Sequence, residues 1–292
     1  MPRSSSSARR SSKLPRPADV TGAPAFLSRQ ERFDVVGSTN DVVRGWLAGG
    51  TPEVCLAVAD EQTAGRGRQG RTWTAPPGAA LLLSVGFRPG WLAAERAWRL
   101  AATVSLAMAD AAEEVAGLPD RAVRLKWPND LVVEDDTSAA RKLAGVLGET
   151  DDLGGSDPRA VVGIGVNADW PAADFPPELA AAMTSLREAS HGRPIDLALL
   201  LDAFLSRLEA RIEALRGGRF DVADWTDRQL TTGRTVLLEH PDGRREERRA
   251  LGVDARSGAL VVEDATRPDG ERPVHAADVV RVRVPPVDPV TV

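Results

Sequence analysis

Apolar and polar positions follow two textures along this chain, and the change comes after Trp225. In the first texture, short β-branched runs are interleaved with longer alanine- and leucine-rich stretches. "FDVV" reads as a strand, and Ser38, Thr39 or Asn40 then caps a helix reaching to about Gly49. "EVCLAVADEQ" and "AALLLSVGF" read as buried strands. The alanine-rich stretch from Leu92 to Ala116 predicts a long buried helix. "AVRLKWPNDLVV" reads as two strand segments around a Pro-Asn-Asp turn. "EDDTSAAR" is a polar hairpin loop, "KLAGVLGET" resumes as a strand, and "AVVGIGVNA" is another. The clearest helix follows. Its apolar residues fall at 197, 200, 201, 204, 205, 208, 212 and 215, one face of a 3.6-residue period, and Gly217-Gly218 stops it.

In the second texture the runs are short and β-rich: "RTVLLEH", "RRALGVD", "ALVVED" and "DVVRVRV". Turns at "PDG", "RSG" and "RPDG" separate them. This predicts a small all-β barrel of about five strands. The fold class is therefore α+β: a mixed sheet with helices, then a small barrel. The expected boundaries are a basic disordered tail over 1–25, a large domain over 26–229, the barrel over 230–286 and a closing tail over 287–292.

Composition sharpens this picture in a few places. The chain has 292 residues, 42% of them hydrophobic, which suits one large domain plus a small one. Its net charge is −5, which argues against a general nucleic-acid binder. The charge is uneven. Residues 1–18 hold five basic side chains and no acid, so the remainder stands at −10. Cys55 is the one cysteine, so no disulfide framework or cysteine metal cluster can form within the chain. It reads as a small buried hydrophobe, and a reducing cytoplasm is the expected location. No apolar run approaches the roughly 18 residues that would span a membrane. The N-terminal segment has the composition of an organellar transit peptide but no hydrophobic region, so a disordered tail is the preferred reading.

Five stretches carry candidate chemistry. The first is "ADEQTAGRGRQGRTW", an exception in an acidic body. Gly65, Gly67 and Gly70 free the backbone to turn amides inward, and Arg66, Arg68 and Arg71 alternate with them. Guanidiniums present planar, paired donors that fit phosphate or carboxylate. A solvated basic loop reads equally well on this stretch alone. An RNA-binding segment does not, since aromatic interleaving is absent.

"KWPND", Lys126 to Asp130, sets polar side chains on a tight turn and could be an ordinary hairpin. "KLAGVLGE" puts Lys142 at the head of an apolar strand, with Ala144 and Gly145 small enough to let a ligand lie against the backbone. An edge-strand lysine is the alternative. "GIGVN", Gly163 to Asn167, has two glycines that suggest close approach of a ligand or another backbone. It lacks the third glycine and following helix of a dinucleotide-binding motif. "GSTN" offers three short polar side chains that could read an amide or urea, or cap a helix.

In this order, "STN", "QTAGRGRQGRTW", "KWPNDL", "KLAGVL" with its following glutamate, and "GIGVN" resemble the biotin protein ligases, over roughly residues 33–170. The closing barrel is similar in texture to that family's SH3-like domain. The resemblance implies a catalytic domain like that of class II aminoacyl-tRNA synthetases. It implies two steps: biotin and ATP form biotinyl-5′-AMP and pyrophosphate, then a carrier lysine takes the biotinyl group.

By the same resemblance, Ser38, Thr39 and Gln62 would hydrogen-bond the ureido ring, with Asn40 and Gly163 beside them. Gly65, Arg66, Gly67 and Arg68 would close over the carboxylate and phosphate. Lys142 would meet the same junction and, with Arg66 and Arg68, carry catalysis, with Gly145 next to it. Trp73 would stack on adenine. Gly70, Arg71, Lys126, Asn129, Asp130 and Asn167 would contact the nucleotide, with Asp130 also the candidate for Mg2+. The apolar floor for biotin would come from Leu143–Val146.

The expected partner is a biotin carboxyl carrier domain of an acyl-CoA or pyruvate carboxylase, and the expected assembly is a monomer or homodimer. The residues before Ser38 are too few for a winged helix, so no DNA binding is expected. A lipoate or octanoate ligase of the same fold and a non-enzymatic biotin sensor are the competing readings.

Overall fold

The computed structural model describes residues 24–135 and 137–284. Both expected tails lie outside them, apart from residues 24 and 25. Twelve strands and five α-helices are assigned among the described residues. In chain order they begin with β1 (Arg29–Val36), α1 (Thr39–Ala48), β2 (Cys55–Gln62), β3 (Ala80–Phe87) and α2 (Trp98–Ala116). Next come β4 (Val123–Lys126), β5 (Asp130–Glu134), β6 (Ala140–Asp151) and β7 (Arg159–Asn167). Three helices follow: α3 (Leu186–Ala189), α4 (Leu197–Arg216) and α5 (Val222–Asp227). The chain closes with β8 (Thr235–Glu239), β9 (Arg245–Val253), β10 (Leu260–Glu263), β11 (Glu271–Val274) and β12 (Arg281–Arg283).

The first seven strands form one sheet in the order β1-β2-β3-β7-β6-β5-β4. β1 and β2 are parallel, with α1 as their crossover, and every other pairing is antiparallel. α2 and α4 cover one face and build the main core with Leu83, Val85, Phe87, Val162 and Ile164. α1 lies on the other face, where Val43 and Leu47 meet Cys55, Ala57 and Val161. Cys55 is fully buried, and burial pushes its thiol up to about 11. α1 reaches β7 at Val161 and Gly163, while the strip around Gly165 and Gly145 faces Trp73 instead. There the register aligns Leu82, Gly165, Gly145 and Asp130 across four strands, and Ser84, Gly163 and Leu147 in the next row. Paired glycines at 165 and 145 turn this strip into a trough.

The last five strands form an antiparallel sheet in the order β11-β10-β9-β8-β12. All five put apolar side chains into one cluster, including Val236, Ala250, Leu260, Val274 and Val282, so the sheet is curled around its own interior. Trp127, from the β4–β5 turn, joins that cluster and donates its indole N–H to Gly258 O at 3.0 Å. Leu125 pairs with the connecting segment through Leu125 N to Arg228 O and Leu230 N to Leu125 O, both 2.8 Å. The second sheet is thus fastened beside the KWPND turn.

Several elements differ from the sequence reading. α2 starts at Trp98, not Leu92, after a separate turn at Ala94–Arg96. Trp98 sets that start by packing its ring on Trp225 and Phe220 at 4.6 and 5.3 Å. Lys142 is the third residue of β6, which begins within the expected loop. α3 and α5 were not anticipated, because each is too short to show a period.

Candidate active site

The trough leads into a cavity of about 300 Å3, closed on one side by residues 62–74. Those residues form a tight hairpin. Trp73 N donates to Gly65 O at 2.9 Å, and Gly67 N donates to Arg71 O at 2.7 Å. A Cβ on Gly65 would sit 2.4 Å from Trp73 O, so only glycine lets the two arms meet. Gln69 and Gly70 turn the tip with φ of 57° and 69°.

One end of the cavity is a cluster of small polar groups. Ser38 stands at the N-cap of α1, yet its side chain makes no capping bond. Thr39 N donates to Gln62 Oε1 at 2.8 Å. Asn40 lies over Gly163, where a Cβ would be 2.1 Å from Asn40 Oδ1. The glycine is therefore needed to admit a protein side chain.

The other end is cationic. Lys142 Nζ pairs with Asp130 Oδ1 at 2.6 Å and lies 5.4 Å from the centre of the Trp73 ring. Its backbone is pinned by Lys142 N to Ala182 O and Thr184 N to Lys142 O, at 2.8 and 2.9 Å. The Trp73 ring occupies the glycine trough, where a Cβ on Gly165 would come within 2.6 Å of it. The indole N–H of Trp73 is buried without a hydrogen-bond partner.

The three arginines of the hairpin differ. Arg66 is bound to Asp41 at 2.7 Å and lies 3.4 Å from Glu149. Asp41's hydrogen bonds raise the guanidinium's pKa, and Arg66 in turn lowers that of Asp41. Arg68 and Arg71 make no ion pair among the described residues. Arg68 instead donates to the main-chain oxygens of Ala276 and Val279, in the segment between β11 and β12. Burial is the main cause lowering its pKa, with the charge of Arg71 next.

Of the residues singled out from sequence, Ser38, Thr39, Asn40, Gln62, Arg66, Gly67, Arg68, Arg71, Trp73, Asn129, Lys142, Gly145, Gly163 and Asn167 line this cavity. Gly65 and Gly70 shape the hairpin behind it. Lys126 and Asp130 line an adjoining cavity of about 620 Å3 between the first sheet, the start of α2 and the second sheet. Arg68 and Asn129 border both. Lys126 has its pKa lowered, first by burial, against which Asp130 acts, while Lys142 adds to the lowering. Asn129 donates to Val146 O and Asn167 to Thr184 O, both at 3.0 Å, so each amide also ties the backbone. No group of three metal-ligating side chains occurs among the described residues.

Sequence reasoning missed part of the wall. Trp170, Leu179 and Met183 come from a stretch with no motif, brought in where Lys142 bridges to Met183. Arg281 comes from β12. Ser84 lies behind Thr39 and Asn40, and its only signal was one hydroxyl within an apolar strand.

Residues 33–167 match the Biotin/lipoate A/B protein ligase family. Biotin--[acetyl-CoA-carboxylase] ligase of Mycobacterium tuberculosis is 33% identical over 257 residues, covering 86% of this chain and 90% of that protein. The chain belongs to the biotin protein ligase family. Among solved biotin protein ligases, that of Aquifex aeolicus in complex with biotin and ATP shares the fold, with a TM-score of 0.71. Its identity is 24%, covering 88% of this chain and 99% of that one. The ligase of Leishmania major in complex with biotinyl-5-AMP is 26% identical with a TM-score of 0.56, covering 85% of this chain and 99% of that one. The chain has three lysines in all. For a biotin protein ligase otherwise supplied with arginine, it is notable chemistry that two of them, Lys126 and Lys142, flank one carboxylate, Asp130.

Proposed function

We propose that this biotin protein ligase joins biotin to one lysine of a carrier domain in two steps. A biotin carboxylate oxygen first attacks the α-phosphorus of ATP. A C–O–P bond forms, the α–β bridge breaks, and pyrophosphate leaves. The carrier amine then attacks the acyl carbon, the C–O bond breaks, and AMP leaves. The carrier is of the acetyl-CoA carboxylase kind, as the name of the M. tuberculosis relative suggests.

The observation that carries this reading is the division of one cavity. Thr39, Gln62 and Ser38 offer neutral donors and acceptors for a urea at one end, and Lys142, Arg68 and Arg71 offer charge at the other. Carboxylate and phosphate about 4 Å apart repel by roughly 4 kcal/mol in a partly dry site. Cations fixed at that junction offset the repulsion and bear the charge building on phosphorus. Lys142 is the compact cation nearest the trough. Arg68 and Arg71, without carboxylate partners among the described residues, are the guanidiniums able to turn to phosphate.

Trp73 lies along the trough beside Lys142, and its ring is the one placed to stack on adenine. Of the Leu143–Val146 segment expected as the floor, Gly145 and Val146 line the cavity, whereas Leu143 and Ala144 are buried in the main core. One carboxylate, Asp130, suits Mg2+ arriving with the triphosphate, since that ion takes one or two carboxylates plus phosphates. Mg2+ supplies charge neutralisation at the phosphates.

Pyrophosphate release from Mg-ATP tests the reading, with biotin, lipoate and octanoate run in parallel and a carrier domain present or absent. Biotin-dependent release with a carrier heavier by one biotinyl group is expected. Release with lipoate or octanoate instead would assign the other branch of the family. Biotin binding without release would make the chain a sensor.

A further inference from the structure

A chain of hydrogen bonds runs from Glu149, the shared partner of Arg44 and Arg66, to the polar end of the cavity. Glu149 Oε2 accepts from Asn40 Nδ2 at 2.6 Å. Asn40 Oδ1 lies 2.6 Å from Ser84 Oγ, and Ser84 Oγ lies 2.6 Å from Thr39 Oγ1. Ser84 is fully buried, and Asn40 and Thr39 are nearly so. Ser84 does not line the cavity, whereas Thr39 does.

We infer that Glu149, Asn40 and Ser84 form a relay of positioning residues that fixes the Thr39 hydroxyl as an acceptor for a ureido N–H. The inference rests on the biotin reading above.

The argument is a count of protons. Glu149, an ion-pair partner of Arg44 at 2.7 Å, can only accept, and so can Leu147 O, 3.5 Å from the same Asn40 nitrogen. These two acceptors hold the Asn40 NH2 toward β6, so its carbonyl must face Ser84. That carbonyl cannot donate, and Ser84 therefore spends its single hydrogen on it. Thr39 must then donate to Ser84. Its other near acceptor, Gln62 Oε1, is farther away at 3.1 Å and already receives Thr39 N–H. Thr39 Oγ1 is left with lone pairs and no hydrogen toward the cavity. Gln62, its oxygen held by Thr39 N–H, keeps its NH2 for a ligand carbonyl. An acceptor beside a donor matches the N–H and C=O of a urea. Gly163 belongs to the device, because any Cβ there would displace Asn40.

The test measures binding of two probes: biotin, and biotin methyl ester, which keeps the ureido ring but has no carboxylate. Ser84→Ala frees the Thr39 hydroxyl hydrogen to point at the ligand N–H. It should weaken both probes about tenfold, and raise the biotin KM while leaving kcat within twofold. Glu149→Gln lets Asn40 flip and should weaken both probes several-fold. The double variant should be no weaker than Ser84→Ala alone, because both changes act through one hydroxyl.

A folded Ser84→Ala protein binding the ester within twofold of the parent would overturn the relay. So would multiplicative losses in the double variant, or a loss seen for biotin but not its ester, which would put the effect at the carboxylate end. If Ser84→Ala does not fold, Glu149→Gln decides alone, since Glu149 is partly exposed, and an unchanged ester affinity refutes the proposal. A parent that binds neither probe would overturn the biotin reading itself, a result distinct from parent binding that Ser84→Ala leaves intact.

Discussion

Lys142 Nζ rests 2.6 Å from Asp130 Oδ1, joining adjacent strands at the cationic end of the cavity. Asp130 is also 4.0 Å from Lys126, so one carboxylate holds two ammonium groups near the proposed carboxylate–phosphate junction. Lys142→Gln keeps the length of the side chain and removes the charge. Biotinyl-AMP formation should fall about a hundredfold or more, the scale of losing one fixed stabiliser of developing charge. Single-turnover adenylation is the measurement, and a rate within threefold of the parent would exclude Lys142 from that step.

Lys126 gives a pH dependence with a definite sign. Its folded pKa lies below the ordinary 10.5 because burial disfavours the ammonium. Between the lowered value and 10.5 the folded protein binds fewer protons than the unfolded chain, so this group makes stability rise with pH there. A reaction step that needs the ammonium fails over the same window. The alkaline limb of kcat/KM should therefore lie below the ordinary lysine range while the fold persists. Asp130→Asn removes the charge that supports Lys126 and should move the limb to lower pH.

Two glycines two residues apart on β7 should report on different substrates. Alanine at 163 would strike Asn40 Oδ1, and alanine at 165 would strike the Trp73 ring. Gly163→Ala should raise the biotin KM about tenfold or more. Gly165→Ala should shift Trp fluorescence and raise the ATP KM. Equal effects on both substrates from either variant would contradict this division.

Arg68 holds the hairpin to the β11–β12 connection through the main-chain oxygens of Ala276 and Val279. Arg68→Gly removes that tie and a cation from the junction. The mixed anhydride would then meet water and bystander amines. The variant should label added bystander protein, read by avidin blot, while the parent labels only its carrier. Equal labelling would remove Arg68 from the role of retaining the intermediate.

Arg228 is 2% exposed and bonds Asp110, Glu113 and Asp224 between α2 and α5. Arg228→Met leaves Glu113 without its cation, while Asp110 and Asp224 keep only Arg211, at 2.7 Å from each. The expected loss is about 3–5 kcal/mol of stability, read by urea unfolding. A loss below about 1 kcal/mol would mean that solvent replaces the arginine readily.

Local sequence was enough for much of the frame. The α4 period and its Gly217-Gly218 stop are visible in the residues, as are the apolar runs of β2, β3 and β7. α3 and α5 were invisible because one or two turns cannot show a repeat. The start of α2 depended on the partners of the Trp98 ring, which lie more than a hundred residues away. Gly145 and Gly163 drew attention as places for a ligand to lie. In the structure Trp73 and Asn40 of the chain itself come close there, and no local pattern names the occupant of an empty Cβ position.

The order of small polar, arginine-rich, lysine-bearing and glycine-bearing segments is a property of the sequence, and so is the family resemblance they carry. Charge and φ freedom belong to single residues, so the arginine hairpin could be recognised as an anion-binding candidate without knowing its neighbours. Tertiary structure alone decided that Arg66 is held by Asp41 and Glu149 while Arg68 and Arg71 have no carboxylate partner among the described residues. It alone placed Ser84 behind Thr39 and set Lys126 and Lys142 on either side of Asp130. Strand register is the physical reason. Side chains alternate across a sheet with period two, so a slip of one residue would turn Ser84, Gly163 and Gly165 to the opposite face. That register is fixed by the core as a whole.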